Sequence, residues 1–115
     1  MKGHIRTCKA ATAIPSFRIA KFGADDETVA LASAATDALA GISIDIDAAA
    51  NGRVDLAEDG PHAVQLGGAV TRGDFLTAAA DGKAVKCTTG NFIAQAKQSG
   101  VAGDIVYITI CRGVI

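Results

Sequence analysis

The chain has 115 residues, half of them apolar, and a formal net charge of −1 with acidic and basic side chains scattered along its length. No basic run could neutralise a row of phosphates, and no apolar stretch reaches the roughly 20 residues that span a bilayer, so neither a nucleic-acid nor a membrane partner is expected. Large apolar side chains are scarce, with no tryptophan, one tyrosine and four phenylalanines. Small side chains bury little area, so binding to further copies or to a larger surface would add stability.

The first 16 residues show no clear period, and Ile14-Pro15 would break a helix or a central strand. We predict an extended N-terminal arm over residues 1–16 and a single β-rich domain over 17–115. The arm could add a strand to a partner's sheet edge, or it could be a disordered terminus. Its candidate contact residues are His4, Ile5, Arg6, Thr7 and Cys8.

Residues 17–22 alternate between apolar and polar or small side chains, which predicts a half-buried strand that ends in a turn at 23–26. Residues 26–40 are ambiguous. Their acidic start, Ala-rich middle and following Gly41 are typical of a helix. Residues 28–31 could equally form a short strand, with Thr36-Asp37 starting a separate turn.

Beyond residue 41 the alternation is clearer, and turn signals at Asn51-Gly52, Asp59-Gly60-Pro61 and Asp81-Gly82 divide it into short runs. Strands are predicted at 42–47, 53–58, 62–66, 75–79, 83–87, 91–96 and 105–110. The first two runs and the pair around Asp81-Gly82 should form hairpins, and the last run, apolar on both faces, should be a central strand buried on both sides. Such spacing indicates a β-barrel or sandwich without an internal repeat.

Catalysis is not expected from the side chains present. A nucleophile activated by His62 would need a partner such as Ser43, Ser99 or Cys87, and no motif such as Gly-x-Ser-x-Gly accompanies them. The three cysteines, at positions 8, 87 and 111, are too widely spaced for a zinc site, so we expect reduced, half-buried thiols. We therefore predict no cofactor and no metal.

Two further motifs have simpler structural interpretations. Asp45 and Asp47 lie two apart on a predicted strand and would share one face, which suits a solvated face better than a hydrolase or cation site. Arg72-Gly73-Asp74 spells an adhesion tripeptide, but Gly73 and Asp74 are what a tight turn requires.

Several stretches, taken in order, resemble a family of short tailed-phage proteins regarded as capsid decoration or cement proteins. The stretches that carry the resemblance, from about residue 11 to 110, are Ala13-Ile14-Pro15, Arg18 to Gly23, Ala35 to Ile42, Gly68 to Thr77, Asp81 to Val85 and Ser99 to Ile105. Family members commonly have proline after Gly-Asp, where this chain has Phe75, which places an aromatic either at a contact surface or in the core.

The resemblance implies a small mainly-β domain, barrel or sandwich, with one short helix or helical turn, a strand at residues 28–31 and a turn near 36–39. It implies a protein on the exterior of a phage capsid, made in the host cytoplasm, that binds the major capsid protein and bridges its subunits without catalysis. A homo-trimer would match capsid threefold sites, although nothing in the sequence fixes the number of copies. The alternative is a small-molecule or glycan-binding β-barrel that assists phage attachment, which would need an aromatic-lined pocket.

Overall fold

The part of the chain that the structure describes forms ten short strands and one 3₁₀ turn, and most of these strands coincide with the alternating runs of the sequence. A computed structural model describes residues 5–23, 25, 27–34, 37–44, 47–58 and 60–115. No helix in these ranges is long and apolar enough to cross a membrane. The strands are β1 Ile5–Ala10, β2 Ile19–Phe22, β3 Thr28–Leu31, β4 Leu39–Ser43, β5 Arg53–Ala57, β6 Gly60–Gln65, β7 Phe75–Ala78, β8 Ala84–Lys86, β9 Asn91–Ala96 and β10 Ile105–Val114, with the 3₁₀ turn at Ala80–Gly82.

The first five strands close into a barrel in the order β1-β3-β2-β4-β5. β1 pairs antiparallel with β5 from Ile5 to Lys9, and parallel with β3 at Lys9 and Ala10. Residues 5–10 of the predicted arm are therefore barrel strand, because their backbone groups find partners within the domain. Residues 1–4 lie outside the described residues.

The other five strands form a sheet in the order β6-β10-β9-β7-β8. Its two end strands approach each other at a parallel bridge between Leu66 and Ala84, where the Gly67 N–H donates to the Ala84 carbonyl at 2.8 Å. This second sheet is therefore rolled, and the bridge shields part of its edges from pairing with another chain.

Most of the predicted elements are confirmed. The two predicted hairpins are the antiparallel pairs β4–β5 and β7–β8. The ambiguous segment 26–40 contains strand β3 at Thr28–Leu31 and a turn in which Asp37 Oδ2 accepts from the Ser33 and Ala34 N–H groups, so it is not one helix. The run predicted at 42–47 is displaced, since β4 ends at Ser43.

Strand β10 departs from its prediction in an informative way. It is central, between β6 and β9, as expected. However, only its even-numbered side chains from Val106 to Ile110 are buried, while Ile105 is 53% and Tyr107 67% exposed. An antiparallel sheet needs cover on one face only, so an apolar run on both faces leaves one apolar face in water.

Two cores hold the domain together. One fills the barrel with small and medium side chains, among them Cys8, Ala20 and Leu56. The other lies between the barrel and the second sheet and contains Ile19 and Ile42 from the barrel. The second sheet contributes most of the remaining side chains of this core, which are Val64, Leu66, Val70, Leu76, Ala78, Ala84, Ile93, Ala94, Ala96, Val106, Ile108 and Ile110.

The second sheet contains an internal repeat with an offset of 30 residues, which the sequence analysis missed. β6 pairs with β10 and β9 pairs with β7, so that Gln65 lies opposite Ile105 and Gln95 opposite Phe75. One copy consists of β6 and β7, and the other of β9 and β10. In each copy a four-residue turn that ends in Gly-Asp directly precedes the second strand. Val70 and Gly100, four residues before each aspartate, pair with each other.

The two copies also share their hydrogen bonds. In each turn the glycine has a positive φ, and the aspartate that follows it accepts a hydrogen bond from the first residue of the turn. The glutamine at the end of β6 or β9 donates to the glycine carbonyl of the turn before its partner strand. Few side chains are common to both copies, which explains why the repeat is not evident in the sequence. The matching bonds are Thr71 N to Asp74 Oδ2 (2.9 Å) and Val101 N to Asp104 Oδ2 (3.0 Å), Gly73 N to Ala96 O and Gly103 N to Leu66 O (both 2.8 Å), and Gln95 Nε2 to Gly73 O (3.1 Å) and Gln65 Nε2 to Gly103 O (3.4 Å).

We expect Gly82→Ala to lower the free energy of unfolding by about 3 kcal/mol, against about 1 kcal/mol for Gly73→Ala. Both glycines have positive φ, but a Cβ at Gly82 would lie 2.6 Å from the Ile19 carbonyl oxygen, whereas one at Gly73 meets nothing within 4 Å. Urea denaturation measures both variants. Equal losses would show that crowding against β2 is unimportant.

We expect Asp74→Ala and Asp104→Ala to lower the free energy of unfolding by similar amounts, about 1–2 kcal/mol each. Each removes the carboxylate that closes one copy of the turn. The same denaturation experiment compares the two variants. A large loss at one position with none at the other would contradict the energetic equivalence of the copies.

Candidate functional site

The predicted N-terminal contact residues are only partly on the described surface. His4 lies outside the described residues, and so do the side chains of Ile5 and Arg6, whose backbone belongs to β1. Thr7 is exposed, and its hydroxyl donates to Asp55 Oδ1 at 2.8 Å. Cys8 is only 5% exposed and belongs to the barrel core, so its thiol is not a surface contact.

Thr7 borders a shallow depression of about 580 Å³ at one end of the barrel. The depression carries charges of both signs, from Lys9, Glu27 and Arg53. Arg53 Nε lies 3.2 Å from Asp55 Oδ1, so Asp55 is held by both Thr7 and Arg53. These two partners lower the pKa of Asp55, with the Thr7 hydroxyl as the larger cause. The residues that line the depression are Thr7, Cys8, Lys9, Glu27, Asn51, Gly52 and Arg53.

A second concave surface, the β6–β10 groove, has a volume of about 510 Å³ and a mainly apolar lining. It lies on the outer face of the second sheet, where Tyr107 pairs with Ala63 and Thr109 with Pro61. Lys97 borders the groove because its backbone N–H donates to the Tyr107 carbonyl at 2.9 Å. The lining residues are Phe17, Pro61, His62, Ala63, Lys97, Tyr107, Ile108 and Thr109.

Phe17 connects the groove to the barrel through an unusual backbone conformation. Its φ is +56°, which a bulky side chain rarely adopts. The conformation is held on both sides, since Phe17 N–H donates to the Ile44 carbonyl at 3.2 Å and its carbonyl accepts from Gln65 N–H at 2.9 Å. The ring lies 5.9 Å from that of His62, so the strained turn places an aromatic side chain in the groove.

The candidate nucleophiles do not meet His62 as a catalytic pair would require. His62 Nε2 lies 3.1 Å from the backbone carbonyl of Ser43, not from its hydroxyl. The buried Ser43 hydroxyl donates to the Pro15 carbonyl at 2.7 Å and accepts from the Arg18 N–H at 2.9 Å, which is a structural role. Ser99 Oγ accepts from the Arg72 N–H.

The cysteine and acidic side chains also have structural rather than catalytic surroundings. Burial raises the pKa values of the Cys87 and Cys111 thiols, which disfavours the reactive thiolate. Of the predicted acidic pair, Asp45 lies outside the described residues, and Asp47 Oδ1 accepts from the Ser16 N–H at 2.7 Å. In the described part of the chain, no three His, Cys, Asp or Glu side chains come together to hold a metal ion.

The Arg72-Gly73-Asp74 tripeptide forms the turn that the sequence analysis favoured. Asp74 Oδ2 accepts from the Thr71 N–H at 2.9 Å within the turn, and Gly73 has a φ of +97°. The equivalent turn has alanine in place of arginine and the same closure by Asp104. Because both copies of the turn have this Gly-Asp pair, the presence of Gly73 and Asp74 is explained by the turn conformation.

The fold defines a small β-barrel joined to a rolled five-stranded sheet with exchanged strand pairs. Among solved structures, it is similar to the crystal structure of the head fiber gp8.5 N base in bacteriophage phi29, with a TM-score of 0.74. The two are 20% identical, and the match covers 99% of this chain and 98% of that chain. At this identity the likeness shows a common fold. No family model and no curated protein matches the chain.

We expect NMR titration to give Asp55 a pKa below the ordinary aspartate value of about 3.9, and Thr7→Val to bring it closer to that value. A lowered folded pKa stabilises the fold above the unfolded pKa, and this contribution is lost as the pH falls through the folded pKa. The acid-induced loss of stability below about pH 4 should therefore be smaller in Thr7→Val than in the wild type. An unchanged Asp55 pKa in the variant would contradict the role of the Thr7 hydroxyl.

Proposed function

We propose that the chain is a structural virion protein of a tailed bacteriophage that lies on the exterior of the capsid and binds the major capsid protein. The observation that carries this proposal is the likeness in fold to a phage head-fiber base over nearly the whole length of both chains. The sequence resemblance to phage decoration proteins supports it independently. Assembly onto the capsid would follow synthesis in the host cytoplasm.

The proposed mechanism is bridging without catalysis. Contacts of about 800 Å² per partner are enough for a specific interface, and a domain that contacts two capsid subunits gains from both. The exposed apolar face of β10 could form part of such a contact, since Ile105 and Tyr107 are both more than half exposed. His62 Nε2 lies beside a backbone carbonyl rather than a nucleophilic side chain, which supports a role without catalysis.

Two finer features belong to the same proposal. Contact through the N-terminal residues stays a prediction, for which Thr7 is the side chain on the described surface. Self-association, as a trimer at capsid threefold sites, would stabilise a domain whose described core residues include many alanines and no aromatic ring.

One observation favours the alternative of a small-molecule or glycan-binding protein. The β6–β10 groove contains three aromatic rings, those of Phe17, His62 and Tyr107. Aromatic rings stack on sugars, but sugar recognition also needs several polar groups, and the lining of this groove is mainly apolar. A glycan array with the purified protein would test this alternative directly.

Cryo-electron microscopy of phage heads, with and without the purified protein, tests the main proposal. We expect added density at regular lattice positions on the outer surface, with the size of a domain that measures 34 × 28 × 24 Å. Contacts of each density with two or more capsid subunits would support bridging. Bare heads at saturating protein would overturn the proposal.

A further inference from the structure

We infer that the β6–β10 groove is the docking site for a polypeptide segment of another virion protein, one that places an apolar side chain beside an acidic one. This inference rests on the proposed virion function and adds to it the surface and the chemistry of the partner. It is argued from the exposure, the charge and the asymmetry of the groove.

The apolar part of the partner follows from what the groove exposes. Tyr107 is 67% exposed, and Phe17, Pro61 and Ala63 contribute further apolar lining. Tyrosine is one of the side chains enriched among the residues that dominate the binding energy of protein interfaces. A volume of about 510 Å³ suits a few side chains of an extended segment.

The acidic part follows from charge. Lys97 is the single Lys, Arg, Asp or Glu among the eight lining residues, and it is exposed. A partner carboxylate would complement this ammonium group at the rim, which favours correct register and faster association.

The internal repeat allows the β6–β10 pair to be compared with the equivalent β9–β7 pair, and the residues that line the groove differ between them. At the positions equivalent to Lys97 and Tyr107, the first copy has a glycine and Thr77, which is 4% exposed. At the position equivalent to His62 the second copy has Phe92, whose ring packs against Phe75 of the first copy with centroids 4.4 Å apart. On this face Phe75 is 38% exposed and Thr77 4%, whereas the equivalent Ile105 and Tyr107 on the other face are 53% and 67% exposed.

The test is co-sedimentation of the full chain with emptied heads of the same phage. We expect Tyr107→Ala and Lys97→Glu each to weaken binding by about tenfold or more, and Tyr107→Phe, which keeps the ring, to bind within about threefold of the wild type. Val101→Ser is the matched control, because Val101 is 60% exposed on a nearby turn but does not line the groove. Circular dichroism and urea unfolding verify that each variant is folded.

The outcomes separate this inference from the proposed function. If the wild type binds and the Tyr107 and Lys97 variants bind equally well, the groove is not the docking site, although the virion function stands. If the wild type does not bind, both are overturned. If light scattering shows that Tyr107→Ala breaks an oligomer of this chain, the groove is a contact between copies, and the inference of a different partner is overturned.

Discussion

Close approach of backbones between the barrel and the second sheet is the constraint on which the rest of the structure depends. Among the described residues, the core between them contains no aromatic ring, and six of its 17 side chains are alanines. With such small side chains, area can be buried only if the main chains lie near each other. Gly82 marks one such close approach, since a Cβ there would lie 2.6 Å from the carbonyl oxygen of Ile19 in β2.

Polar bonds across this junction fix the two halves in one arrangement. Arg18 Nε donates to Gln65 Oε1 at 2.9 Å, and its Nη1 donates to the Asp81 carbonyl at 2.9 Å. At the other end, the Arg112 guanidinium donates to the Leu39 and Ala40 carbonyls of β4. These bonds join the barrel to the second sheet on both sides of the shared core, so the position of Phe17 relative to β6 is set by the whole fold.

The repeat in the second sheet and the groove are two results of one architecture. Because β6 pairs with β10 and β9 pairs with β7, equivalent positions of the two copies lie in corresponding strand pairs in different parts of the sheet. The Gly-Asp turns must keep their residues because the backbone conformation depends on them. The facing positions are free to differ, and there one half packs Phe75 on Phe92 while the other leaves Tyr107 beside Lys97.

The sequence by itself determined the elements that depend on neighbouring residues. Alternation and turn residues were sufficient for most of the strands from residue 53 onward, for the two hairpins and for the turn at Gly73-Asp74, because side-chain direction and turn geometry are local properties. Tertiary structure decided what depends on distant pairing: the closure of the barrel by residues 5–10, the repeat, and the burial of one face only of β10. The groove belongs to this second group, since its walls come from residues 17, 61–63, 97 and 107–109, and only the fold brings them together.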